Sequence, residues 1–167
     1  MDIVVNDTNI FIDLYSIDLL DTIFNLPFKF HTTDFVISEI TNNKQKQQIH
    51  KYIDSKCLTV KSFLPDEIAE IISFYSKQTN NMSITDCSVC IYAKNNNYRL
   101  LTGDRNTRIT AQNKGIVVNG ILFLFKELVN NNIITKQVAI QKLECLKKNN
   151  KRLPLKEIDK LIGDWQK

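Results

Sequence analysis

Short runs of β-branched and other apolar residues alternate with segments of helical periodicity over most of the chain, and this alternation restricts the fold more than any other feature. "IVV" at residues 3–5, "FKFH" at 28–31, "CLTVKSF" at 57–63, "YRLLTGD" at 98–104 and "GIVVNG" at 115–120 read as five strands. The first is interrupted by Asn6 and Asp7, after which Ile10, Phe11 and Leu14 fall at helical spacing. Asp34 is a plausible N-cap for a helix through Ile37, Glu39 and Ile40, with Glu39 one turn inside it. Ile68, Ile71, Ile72 and Tyr75 share one face of a helix that begins after Pro65. Ser83 and Asp86 form a capping box with Asp in place of the usual Glu. From Ile121 the chain reads as helical to its end, broken near Pro154. Strands separated by helices, with only four glycines and three prolines, predict an α/β fold: a central parallel sheet of about five strands with helices on both faces.

The 167 residues suffice for one sizeable core and are few for two, so a single domain spanning 1–167 is expected. No apolar run approaches the roughly 18 residues that cross a bilayer, and "MDIVV" has neither the basic start nor the long apolar segment of a signal peptide. A cytoplasmic protein without a membrane partner is the expectation. The four cysteines are too few and too unevenly spaced for a disulfide framework. Cys87 and Cys90 lack a second pair, and with Ile91 they lie on one helical stripe, as small core residues would. The net charge of +4 is uneven: residues 126–167 hold ten Lys or Arg against five acids. That balance is compatible with a polyanionic partner and equally with a solvated helix face.

Asp7 and Asp104 each follow an apolar strand and precede a helical segment. In an open parallel sheet the carboxyl ends of the strands share one edge, and ligands bind in the crevice outside it. Asp86, in the first turn of the helix that leads into the fourth strand, and Glu39 have access to the same edge. Four carboxylates at one place repel and raise one another's pKa, so such a cluster implies a compensating cation. Oxygen ligands without His or Cys suit Mg²⁺ or Mn²⁺, which bind through a few carboxylates, several waters and substrate phosphate, and this is the chemistry of phosphodiester hydrolysis. Taken singly, each acid also reads as a cap, a turn residue or a solvent-facing position.

"VVNDTNIFIDL", "VISEI", "MSITDCSVCIYAKNNNYRLLTGDRNTR" and "GIVVNGILFLFKELV" occur in that order. Here the chain resembles the PIN-domain nucleases, and especially the VapC-like toxins of toxin–antitoxin pairs. The resemblance covers about residues 3–129 and leaves 130–167 as a helical C-terminal extension, in which Leu155, Ile158, Leu161 and Ile162 give an apolar face. It implies Mg²⁺ or Mn²⁺ held by Asp7, Glu39, Asp86 and Asp104 as catalytic residues. It further implies endonucleolytic cleavage of RNA by metal-activated water, leaving a 3′-hydroxyl and a 5′-phosphate. Asn9 and Thr102 match polar positions that support the acids, and Arg105 and Arg108 stand where they can meet substrate phosphates. A cognate antitoxin and a homodimer are the family-based partners.

One departure from the family pattern is Asn6, which intervenes between the apolar strand and the acid and leaves open a one-residue difference in register. A competing reading is a PIN-fold protein of weak or absent activity that works as a protein-binding module. An aspartyl-phosphate transferase with Asp7 as nucleophile is a third. In haloacid-dehalogenase-like proteins, however, a second Asp stands two positions on, where this chain has Asn9.

Overall fold

The computed structural model describes residues 2–167. Five strands, β1 (Asp2–Asn6), β2 (Phe28–Thr33), β3 (Leu58–Lys61), β4 (Arg99–Leu101) and β5 (Val118–Asn119), form one sheet in the order β3-β2-β1-β4-β5. Every pairing is parallel. The helices are α1 (Thr8–Ser16), α2 (Leu20–Ile23), α3 (Asp34–Glu39), α4 (Asn43–Asp54), α5 (Pro65–Ser76), α6 (Ile84–Asn96), α7 (Arg105–Asn113), α8 (Ile121–Asn130), α9 (Lys136–Asn149) and α10 (Leu155–Gln166). The predicted α/β architecture is therefore the observed one. No helix among the described residues is long and apolar enough to cross a membrane.

The strand order decides where chemistry can occur. The chain leaves β1 for β2 and β3 on one side, then returns to place β4 and β5 on the other. The crevice outside the carboxyl ends of β1 and β4 is thus a topological switch point, the usual ligand position in an open parallel sheet. Both faces of the sheet are covered, so Val4, Val5, Leu100 and Leu101 are fully buried. Polar contacts orient α6 on its face: Tyr92 meets His31 at 2.7 Å and Ser88 meets Thr33 at 2.9 Å. Cys87 and Cys90 are buried free thiols on this helix, and Cys57 and Cys145 are exposed and free.

Several details differ from the sequence reading. Asn6 does not interrupt β1 but ends it, and Val4, Val5 and Asn6 pair in step with Arg99, Leu100 and Leu101. The polar residue is tolerated because its amide donates to the carbonyls of His31 at 3.1 Å and Val4 at 3.3 Å. Its Oδ1, however, is buried without a partner. A buried unpaired acceptor costs about 1–3 kcal/mol, which cancels what two donations to strand carbonyls return, and a β-branched apolar residue at this buried position would add its own burial. Asn6→Val is therefore expected to stabilise the protein by about 1 kcal/mol, read as a higher urea midpoint at unchanged m-value.

The cap of α3 is Thr33, whose hydroxyl accepts from the Val36 amide, while Asp34 is the first helical residue. Glu39 is the last residue of this six-residue helix, not one turn inside it. In α5, Ile71 and Phe74 are buried and Ile72 and Tyr75 are about half exposed, so the core stripe is rotated from the predicted one. β4 and β5 are three and two residues long, shorter than the apolar runs that announced them. In the C-terminal helices Ile158, Leu161 and Ile162 are buried, but Leu155 is 46% exposed.

Candidate active site

Asp7 lies one residue beyond the end of β1, and its amide donates to the carbonyl of Leu101 at 3.0 Å, which ties it to the end of β4. Its side chain caps α1: Oδ1 accepts from the Thr8 amide at 2.7 Å. Oδ2 accepts from Asn9 Nδ2 and from the Thr102 hydroxyl, each at 2.7 Å. The residue is only 2% exposed. Burial, and secondly the nearby charge of Asp86, push its carboxyl up to about 7 despite the three hydrogen bonds that favour ionisation.

The other acids are placed by local capping geometry. Asp86 sits at the third position of α6, where Oδ2 accepts from the amide (2.7 Å) and hydroxyl (2.9 Å) of Ser83. Ser83 in return accepts from the Asp86 amide at 3.0 Å, completing the box. Asp104 caps α7, with Oδ1 accepting from the Thr107 amide and hydroxyl, both at 2.8 Å. Glu39 is exposed and accepts a short hydrogen bond from the Thr8 hydroxyl through Oε2.

Two hydrogen-bonded paths radiate from Asp7. One leads through Thr102, whose hydroxyl also accepts from the Asp104 amide at 3.1 Å; the other leads through Thr8 to Glu39. Asn9 closes the first, because its Oδ1 accepts from the Gly103 amide at 2.7 Å. Asp86 couples to Asp7 through charge. The structure thus brings Asp7 and Asp86 into mutual range and sets Asp104 and Glu39 each one bridging residue away.

Electrostatics at this edge pull in two directions. Asp7, Asp86 and Asp104 each stand at a helix N-terminus, where the macrodipole favours negative charge. Glu39 stands at a C-terminus, where it does not. The burial of Asp7 beside a second carboxylate remains uncompensated among the described residues, whose salt bridges involve none of the four acids. Oxygen donors in that setting fit a hard dication that keeps most of its waters. The neighbouring thiols do not compete: burial and then the charge of Asp86 raise Cys87 to about 12, and Cys90 is also raised, so both stay protonated. Among the described residues no three His, Cys, Asp or Glu side chains are grouped closely enough for one ion. The donor chemistry therefore suits Mg²⁺ or Mn²⁺, while the four carboxylates are not gathered around one ion.

Asp86, Asp104 and Glu39 each have one carboxylate oxygen without a protein donor among the described residues, since every donor reaches its other oxygen. Ser83→Ala removes the two bonds made by the hydroxyl and leaves Asp86 held by the Ser83 amide alone. It should cost about 1 kcal/mol of stability and, by freeing Asp86, about 10–100-fold in any metal affinity of the site, measured by calorimetric titration with Mn²⁺.

Arg105 is exposed at the first position of α7. Arg108 is half-buried and donates through Nη2 to the Thr102 carbonyl at 2.9 Å. The sequence offers Thr8 beside Asp7 as a cap of α1 but not as the donor to Glu39, and it singles out neither Thr107 nor Gly120. Thr107 had a visible signal, standing three residues after Asp104 as the partner of a helix cap does. Gly120 had none.

A family model described as DUF3368, PIN domain, matches residues 3–167. Among solved structures, the chain is similar to a PilT N-terminus domain protein from the archaeon Sulfolobus solfataricus. The match has 16% identity and a TM-score of 0.42, and covers 73% of this chain and 89% of that one. It is also similar to FitAcB from Neisseria gonorrhoeae, with 14% identity and a TM-score of 0.41 over 69% of this chain and 95% of that one. No curated protein matches the chain.

Proposed function

The chain belongs to the PIN-domain family, and from that premise we propose that it is a metal-dependent endoribonuclease and the toxin of a toxin–antitoxin pair. PIN domains are generally nucleases and usually depend on divalent metal. The observation that carries the reading is Asp7, a carboxylate 2% exposed beside Asp86, which three neutral donors orient without neutralising. A group so placed destabilises the folded state unless a cation joins it.

In this reading Asp7 and Asp86 would hold Mg²⁺ or Mn²⁺, and Glu39 and Asp104 would bring further carboxylate to the same edge. The chemistry such an ion would supply there is positive charge for the scissile phosphate and a lowered pKa for an attacking water. The residues of the chain do the rest. Thr102, Asn9 and the Thr8 amide fix both oxygens of Asp7. Ser83 fixes Asp86 and Thr107 fixes Asp104, in each case by one oxygen, leaving the other for a water or a ribose hydroxyl. Arg105 meets a phosphate of the RNA backbone from outside the acidic edge. The products are a 3′-hydroxyl and a 5′-phosphate.

The toxin assignment follows the resemblance of the acid-bearing segments to VapC-like toxins. It carries with it a cognate antitoxin, a homodimer and a cytoplasmic place of action. The fold unit is proposed to be one domain, residues 1–167. The purified protein should cut RNA with Mg²⁺ or Mn²⁺ and stop on addition of a chelator, read on a panel of single-stranded and structured RNAs.

A second reading, a PIN-fold protein of little activity that acts through protein contacts, is favoured by the absence of three grouped ligands among the described residues. Metal binding with no cleavage across the panel would select it.

A further inference from the structure

The turn from β4 into α7 carries two of the polar groups around Asp7, and it is held from a third side by a residue outside the acidic edge. Thr102 is its node. The amide of Thr102 donates to the Asn119 carbonyl at 3.0 Å, and its hydroxyl donates to Asp7 and accepts from the Asp104 amide. The one remaining polar atom, its carbonyl, accepts from Arg108 at 2.9 Å. Arg108 lies one turn beyond Asp104 on α7, so the contact closes a loop from the helix back to the strand end.

Gly120 confirms that this place is reserved. A Cβ at Gly120 would lie 2.9 Å from Arg108 Nη2 and 3.6 Å from the Thr102 carbonyl oxygen. The backbone there is extended (φ −113°, ψ −172°), which any residue adopts, so close approach and not backbone freedom is what a side chain would disturb. Among the described residues Arg108 forms no salt bridge, which leaves the carbonyl as its anchoring contact.

We propose that Arg108 is a positioning residue that clamps Thr102 and so fixes the spacing between Asp7 and Asp104, and that Gly120 is glycine to admit it. The contact stands by itself; its consequence for catalysis rests on the nuclease reading. A guanidinium tied to the strand end does not serve primarily as a phosphate contact, the role its sequence position suggested.

The test uses Arg108→Gln, Gly120→Ala and the double variant. The one close contact of the Gly120→Ala Cβ is with the flexible end of Arg108, the Thr102 carbonyl at 3.6 Å being at ordinary contact distance, so the variant is expected to fold with the guanidinium displaced. In metal-free protein, amide hydrogen exchange at Gly103 and Asp104 should accelerate about tenfold or more in each single variant and no further in the double, the non-additivity expected of one shared contact. With RNA, kcat should fall about 10–100-fold while KM stays within about twofold. The salt dependence of RNA binding, measured in an Asp7→Asn background, should not change.

Unchanged exchange at both amides would overturn the clamp. So would a Gly120→Ala protein with normal exchange beside an impaired Arg108→Gln. Preserved kcat, with the slope of log K against log salt shallower by about 0.7, would make Arg108 a phosphate contact instead. If the wild type cuts no RNA, the nuclease reading fails and the exchange data alone decide the clamp.

Discussion

Asp7→Asn is expected to lower RNA cleavage by at least about 100-fold, because displacing even an outer partner of a metal ligand costs about 10–100-fold and this change removes the ligand's charge. The fold should survive it. Asn is as good a helix cap as Asp, so the bond from the Thr8 amide is kept. The Thr102 hydroxyl can turn to accept from the new amide, and only Asn9 loses its acceptor. The informative measurement pairs cleavage rate with far-UV circular dichroism and Mn²⁺ titration on the same preparation. A folded variant that cuts at the wild-type rate would return Asp7 to the rank of a simple cap, and an unfolded one would make its role structural.

The same substitution should alter stability in a pH-dependent way. The carboxyl of Asp7 is raised from 3.8 to about 7 in the folded protein by burial and then by Asp86. Below about pH 4 it is protonated in both folded and unfolded states and makes no difference. As pH rises toward 7 the unfolded chain ionises freely and the folded one does not, so the folded state loses stability across that window. A shift of about three units corresponds to at most about 4 kcal/mol. Hydrogen bonds lost in the variant offset about half of this. In chelator, Asp7→Asn should thus be about 2 kcal/mol more stable than wild type at pH 8 and no more stable at pH 4, read from urea denaturation. Mn²⁺ at about 100 times its dissociation constant should restore about 2.7 kcal/mol to the wild type and little to the variant. A gain independent of pH would place its origin outside ionisation.

The sequence made some of this arrangement visible and concealed the rest. Alternation of apolar runs and helices predicted the parallel sheet because the central strands β1 and β4 are buried on both faces. The carboxyl edge followed from topology, which is why Asp7 and Asp104 could be set beside one another across 96 positions of chain. Ser83 and Asp86 were legible because a capping box is local. Asn6 was misread because a polar residue inside a strand is sustained by its neighbour β2, which the sequence does not show. The role of Glu39 at the end of α3 was missed because its partner, the Thr8 hydroxyl that donates to it, comes from another element. Arg108, Thr102 and Gly120 meet only in three dimensions.

The polar seam between α6 and β2 has a further consequence. Tyr92 on His31 and Ser88 on Thr33 act as two index marks that set the rotational phase of α6, since an apolar interface alone lets a helix turn by a fraction of a residue at little cost. Each residue of helix advances the azimuth by about 100°. Deleting one position between Asp86 and Ser88 would leave the seam engaged and swing the carboxylate about a quarter-turn away from Asp7. The helix would not tolerate a change in its count.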